Sequence, residues 1–347
     1  MTTARGWSGL RLTSVVAPVV RAVVPSLPGP VAVPPVSATD RARAAGHAEP
    51  VVAALARSLE TLGEAERRAV LDPLDRLPER ARTDGAPVRP LTVGGVPARQ
   101  VDGTTCGSAV LALLAAAGDP VLALWLGTGT TAGATDPPAA RAGDDGPAAA
   151  AARWERLQRL VKRRTARRSL GPFPWPAGLG TPPWGAARTA RYADVRYTHR
   201  VVGGAHGWVL LDAAVRAAAR GIPVPLFTGG DLSGGLAAAV PRHVVLLTAV
   251  DAHGRCRVYE PSSGTVHRLD AGRIGAGATD PAVRRALGGW PHVVWTLLPA
   301  RPAAGPDDRP DDRPDDRPDD RAGGGLATGR LRREDGDASR PRREESP

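Results

Sequence analysis

"RHVVLLTAVDAHGRCRVYEPSSG", residues 242–264, reads as an antiparallel hairpin. His243 to Val250 is an apolar run, Asp251 to Gly254 a turn, and Arg255 to Glu260 a returning strand followed by Pro261 and Gly264. A four-residue loop puts Val250 opposite Arg255, Val245 opposite Glu260 and His243 opposite Ser262. Side chains alternate between faces, so Glu260 becomes a diagonal, same-face neighbour of His243 within reach of a long side chain. A carboxylate there would fix the imidazole tautomer and support its positive charge.

The other informative stretch is "QVDGTTCGSAVLALLAAAGD", residues 100–119. From Cys106 it reads as a buried helix, with Ala109, Leu113 and Ala116 along one side and Gly118 closing it. A thiol is nucleophilic as its thiolate, and a helix N-terminus or a neighbouring imidazole favours that form. Gln100 lies six residues upstream, with Gly103 between to let the loop fold back, so its amide can serve as an oxyanion donor. Cys106 alone would most simply be a buried structural thiol. Gln100, His243 and Glu260 in order around it turn the reading towards a site.

Composition limits the rest. The 347 residues include 41 Gly and 35 Pro, which fits one folded domain with irregular flanks. The net charge of +11 gathers in residues 151–200, where twelve basic residues face only Glu155 and Asp194. In "AARWERLQRLVKRRTARRS" Trp154, Leu157, Leu160 and Val161 share one face, giving an amphipathic basic helix. A solvated face is the simpler account of residues 153–168; binding of nucleic acid or an anionic membrane there is the minor alternative. Two cysteines do not make a disulfide scaffold, and no segment is clean enough to span a bilayer. The expected location is cytoplasmic, with secretion after Val36-Ser37-Ala38 as the alternative.

Along the chain, residues 1–40 read as a disordered leader, 41–90 as a helical prelude, and 91–300 as the folded domain. In the prelude Val52, Leu55, Ala56 and Leu59 share a face up to Gly63, and a second helix covers Glu64 to Leu77. Residues 119–200 read as an insertion, loop-like as far as 150, with Phe173, Trp175 and Trp184 packing an irregular stretch between prolines. Asp212 to Arg220 is a helix, the "IPVPLF" that follows a strand, and His292 to Leu298 the last strand. Residues 301–347, with "PDDR" four times over, read as a solvated, disordered charged tail.

These residues resemble the papain-like cysteine peptidases, and more closely the peptidases that cleave double-glycine leaders in bacteriocin exporters, with their stand-alone relatives. The carriers are Gln-x5-Cys-Gly in "QVDGTTCGSAVLALL" and the His strand, hairpin and acid-Pro-x-x-Gly ending of residues 242–264, about 45 residues in two blocks. The resemblance implies a papain-like α+β fold, with the Cys-bearing helix packed on an antiparallel sheet that carries the His and the acid. It implies Gln100 as oxyanion residue, Cys106 as nucleophile, His243 as base and Glu260 as orienting residue. A peptide or protein would be the substrate, with no cofactor and no metal. Glu260 departs from the Asp or Asn usual in the family, and Thr105 from the Asp usual in the exporter peptidases. The alternative is a non-catalytic module of the same fold that binds a peptide or protein partner. His206 is a rival base, and His253 falls in the turn.

Overall fold

The computed structural model describes residues 31–33, 35–76, 88–132, 146–204, 207–231, 241–276 and 279–300. Most of the leader, the charged tail and His206 lie outside the described residues. The described chain nevertheless enters the segment read as a leader. Val31 packs on the core, and Ser37 caps helix α1 (Ala38–Ala44) by accepting from the Asp40 N–H at 3.1 Å. Helix α2 (Glu49–Thr61) buries Val52 and Leu55. Helix α3 runs Glu64–Leu71 and stops short of Leu77. Pro73 explains the difference, because a residue before proline is pushed out of the helical region; Asp72 lies at φ −141°.

The Cys106 helix, α4 (Cys106–Gly118), is buried at every position except Ala115. Helix α5 (Pro120–Thr128) follows at once and corrects the loop reading of this part of the presumed insertion. Asp119 caps it by accepting from the Val121 and Leu122 N–H groups, and Pro120 occupies its first turn. Helices α6 (Pro147–Ala166) and α7 (Pro183–Thr189) also pack into this layer, so the region read as an insertion builds the core around α4. Trp175 and Trp184 meet edge to face at 5.3 Å.

The remaining elements form a sheet with helices on its other side. Strands β1 (Val88–Pro90), β4 (Arg196–Val201), β5 (Val224–Gly229), β6 (His243–Val250), β7 (Arg255–Glu260), β8 (Thr265–Asp270) and β9 (His292–Ala300) pair antiparallel in the order β1-β8-β7-β6-β5-β9-β4. Strands β2 (Thr92–Val93) and β3 (Val96–Pro97) form a separate ribbon. Helices α8 (Gly207–Ala219) and α9 (Pro281–Ala286) cover the face opposite α4. Alternation along β6 serves both cores: Val244 and Leu246 pack on the α4 side, Val245 and Leu247 on the α8 side.

The fold is thus mixed α+β on an antiparallel sheet. No single helix among the described residues is long and apolar enough to cross a membrane. In the β6–β7 hairpin Leu246 pairs with Tyr259, so at the Glu260 end the register is the one the four-residue loop requires. Nearer the turn a shift between Leu247 and Ala249 makes Val250 face Cys256 instead of Arg255, as an extra residue in one strand does.

Candidate functional site

The register just described brings His243 and Glu260 together. The His243 Nε2 lies 2.8 Å from the Glu260 Oε1, and the two residues are only 7 % and 4 % exposed. Cys106, 5 % exposed, reaches the same imidazole from α4. Burial opposes a charge on the ring, but the bonds its N–H groups donate to the Cys106 sulfur and the Glu260 carboxylate outweigh it and raise the imidazole pKa from 6.5 to about 9. With Nε2 held by Glu260, Nδ1 is the ring nitrogen left to face the thiol.

The acid is fixed by its own turn. Pro261 to Gly264 folds so that Ser262 N–H donates to Oε1 at 2.8 Å and Ser263 N–H to Oε2 at 2.8 Å. The Ser263 hydroxyl adds a 2.7 Å bond to Oε2. Burial alone would raise the pKa of Glu260, yet the His243 bond and these donors bring it down to about 2. The longer side chain of Glu lets it reach His243 while folding back over its own turn.

Glycine decides how closely α9 approaches the ring. Gly288, just past that helix at φ +68°, lies so near His243 that a Cβ would sit 2.2 Å from Cδ2 and 2.6 Å from Nε2. Its backbone therefore forms one wall of the imidazole slot. Gly107 is similarly tight: a Cβ there would meet the Thr181 Oγ1 at 2.6 Å.

Gln100 stands beside the acid turn. Its backbone N–H donates to Pro261 O at 2.8 Å, and its Oε1 accepts from the Ser262 hydroxyl at 3.1 Å. Its Nε2 donates to Asp102 O at 2.8 Å, and the second amide N–H has no acceptor among the described residues. The loop from Arg99 to Thr105 is held by α6. Trp154 and Gln158 donate to Arg99 O at 2.7 and 3.0 Å, Gln158 Oε1 accepts from Val101 N–H at 3.1 Å, and Lys162 bonds the Thr104 hydroxyl. The basic helix thus presents Arg156, Arg159, Arg163 and Arg164 outward while its inner face shapes the loop before Cys106. The N–H groups of Cys106, Gly107 and Ser108 have no acceptor among the described residues, because the Thr105 hydroxyl turns to Asp102 O at 3.0 Å instead of capping the helix.

The other candidates separate from this group. Cys256 is wholly buried, and burial with Asp270 and Asp251 nearby pushes its thiol up to about 12, so it is inert. His253 is exposed in the turn. Among the described residues no group of three or more His, Cys, Asp or Glu side chains is arranged to hold a metal ion. Sequence reasoning missed Gly288, Ser263 and the Trp154–Gln158 clamp. The "LGGW" after α9 signals a turn, but nothing in it signals contact with His243.

A scan against protein-family models and a search of curated proteins find no match to this chain.

Proposed function

We propose that the chain is a papain-like thiol hydrolase acting on a peptide or related amide, and that Cys106, His243 and Glu260 carry the reaction. The observation behind this reading is the buried line from thiol to imidazole to carboxylate, with the imidazole pKa raised to about 9. At neutral pH such a ring is an imidazolium, which favours the thiolate beside it. The thiolate attacks the carbonyl carbon, and the oxyanion forms next to the open α4 N-terminus, where the Cys106 N–H and the remaining Gln100 amide N–H are the available donors. His243 gives its proton to the leaving amine, then takes one from water as the acyl-enzyme is hydrolysed. Glu260 stays ionised throughout and holds the ring by Nε2. Both thiols are free, which fits the reducing cytoplasm.

Alkylation by iodoacetamide tests the reading. Cys106 is expected to react at pH 6 faster than a free thiol, and His243→Ala to remove the advantage. Reaction at the free-thiol rate, unchanged in His243→Ala, would sink the proposal. The near-complete burial of Cys106 and the bond from Gln100 to Asp102 favour, as second reading, a peptide-binding module of the same fold. Stoichiometric peptide binding without turnover, unaffected by Cys106→Ala, would select it.

A further inference from the structure

We propose that His267 is a positioning residue for the Glu260–His243 pair, acting through a one-way chain of two hydroxyls. The inference rests on the catalytic reading of that pair. On β8, Thr265 pairs with Glu260 and His267 with Val258, so Glu260, Thr265 and His267 line one face of the sheet, with Ser263 in the turn between the strands. The contacts run from Glu260 Oε2 to the Ser263 hydroxyl at 2.7 Å, from there to the Thr265 hydroxyl at 2.6 Å, and on to His267 Nε2 at 3.1 Å.

Donor counting sets the direction. An ionised carboxylate only accepts, so Ser263 must give it its single hydroxyl proton. Ser263 can then only accept from Thr265, which uses the single Thr265 proton in turn. The last link must therefore be a donation from His267 Nε2–H. The ring is 8 % exposed; burial lowers its pKa, as does Arg285 from α9, while Glu260 pulls the other way and the net shift is down. His267 is thus a neutral donor at pH 7, held in its Nε2–H tautomer.

The consequence falls on Glu260. With Thr265 oriented by His267, the Ser263 proton is committed to Oε2. Without it, Thr265 can donate elsewhere or turn its own proton, and Ser263 can swing towards the Glu260 main-chain carbonyl, 3.4 Å away. Oε2 then loses a donor, the carboxylate is less well held, and the His243 imidazolium loses part of its support.

The test is an NMR titration of His243, with histidine selectively labelled and the signal assigned through His243→Gln. His267→Leu is expected to lower the His243 pKa by about half a unit to one unit. His267→Gln, whose amide N–H falls close to the Nε2 position, is expected to restore it. Thr265→Val, an isosteric change suited to a strand, should give the same drop as His267→Leu, and the double variant no more than either alone, since all break one chain. No shift in either single variant, no rescue by Gln, or additive shifts would each overturn the proposal. Iodoacetamide reactivity of Cys106 in the parent is measured alongside. If it is ordinary while the shifts hold, the catalytic reading has failed and the hydroxyl chain has not.

Discussion

Replacing Gly288 by alanine puts the slot around His243 under a defined strain. The new Cβ would lie 2.2 Å from Cδ2, whereas ordinary contact begins at 3.4 Å, so the ring must retreat by about 1 Å. Glu260 cannot follow, because the Ser262 and Ser263 N–H groups hold its carboxylate. The 2.8 Å bond to Nε2 then stretches past hydrogen-bonding range. Losing a buried bond between charged groups costs about 1.5 to 3 kcal/mol, and alanine at φ +68° adds about 1 kcal/mol of backbone strain. Gly289 supplies the control: it sits at φ +87° with nothing within 4 Å of its would-be Cβ, so Gly289→Ala carries the strain alone. Thermal unfolding and the rate of Cys106 alkylation at pH 6 are measured on both. Gly288→Ala is expected to be about 2 kcal/mol less stable than Gly289→Ala and about 10- to 100-fold slower to react. Equal behaviour of the two variants would refute the argument that the Gly288 backbone sets the ring position.

Native protein treated with iodoacetamide should carry label on Cys106 alone, and Cys106→Ala none, by peptide mass spectrometry; label on Cys256 would contradict its burial and its pKa of about 12. Glu260→Gln should leave partial reactivity yet cost on the order of 1 to 3 kcal/mol, because one amide oxygen cannot serve donors on both sides and its NH2 must face at least one N–H. Glu260→Ala should react more slowly than Glu260→Gln, and an alanine variant as reactive as the parent would show that Glu260 does not hold the ring. Stability should be greatest between about pH 4.5 and 6.5. The raised His243 pKa gives stabilisation that is complete below 6.5 and lost as pH rises towards about 9, and the lowered Glu260 pKa gives stabilisation present above 4.5 and lost as pH falls towards about 2. The two shifts overlap in the His243–Glu260 bond, with Cys106 adding to the first and the Ser262 and Ser263 donors to the second, so they are not summed as independent terms; a melting temperature that climbs between pH 7 and 9 would contradict the pairing.

The hairpin and the Cys106 helix were legible because their patterns are local. His243 and Glu260 both open or close a strand bounded by turn residues, and a period of two then decides that they share a face. Helix α5 was not legible, since "VLALWL" is apolar on every side and carries no period. Its real signal was Asp119-Pro120, a cap followed by a first-turn proline. The site's supports lay deeper still. Gln158 reaches Arg99 across 59 positions, and Gly288 meets His243 only because α9 packs back against β7 and β8; neither distance has a sequence signature. Register near the turn was misjudged because one bulged residue leaves no trace in the hydrophobic pattern.

The uncapped start of α4 sets local robustness against chemistry. A side chain that closed over the Cys106, Gly107 and Ser108 N–H groups would strengthen the helix by about 1 kcal/mol. It would also fill the place where a negative oxygen would have to come to rest. Thr105 is of a type that caps helices well, yet its hydroxyl is turned away to Asp102 O, and α6 with the Pro261–Ser262 turn holds the loop instead. A laboratory selection for heat resistance alone would therefore be drawn to position 105, and on the proposed catalytic reading a capping side chain there would compete with an oxyanion for the same N–H groups.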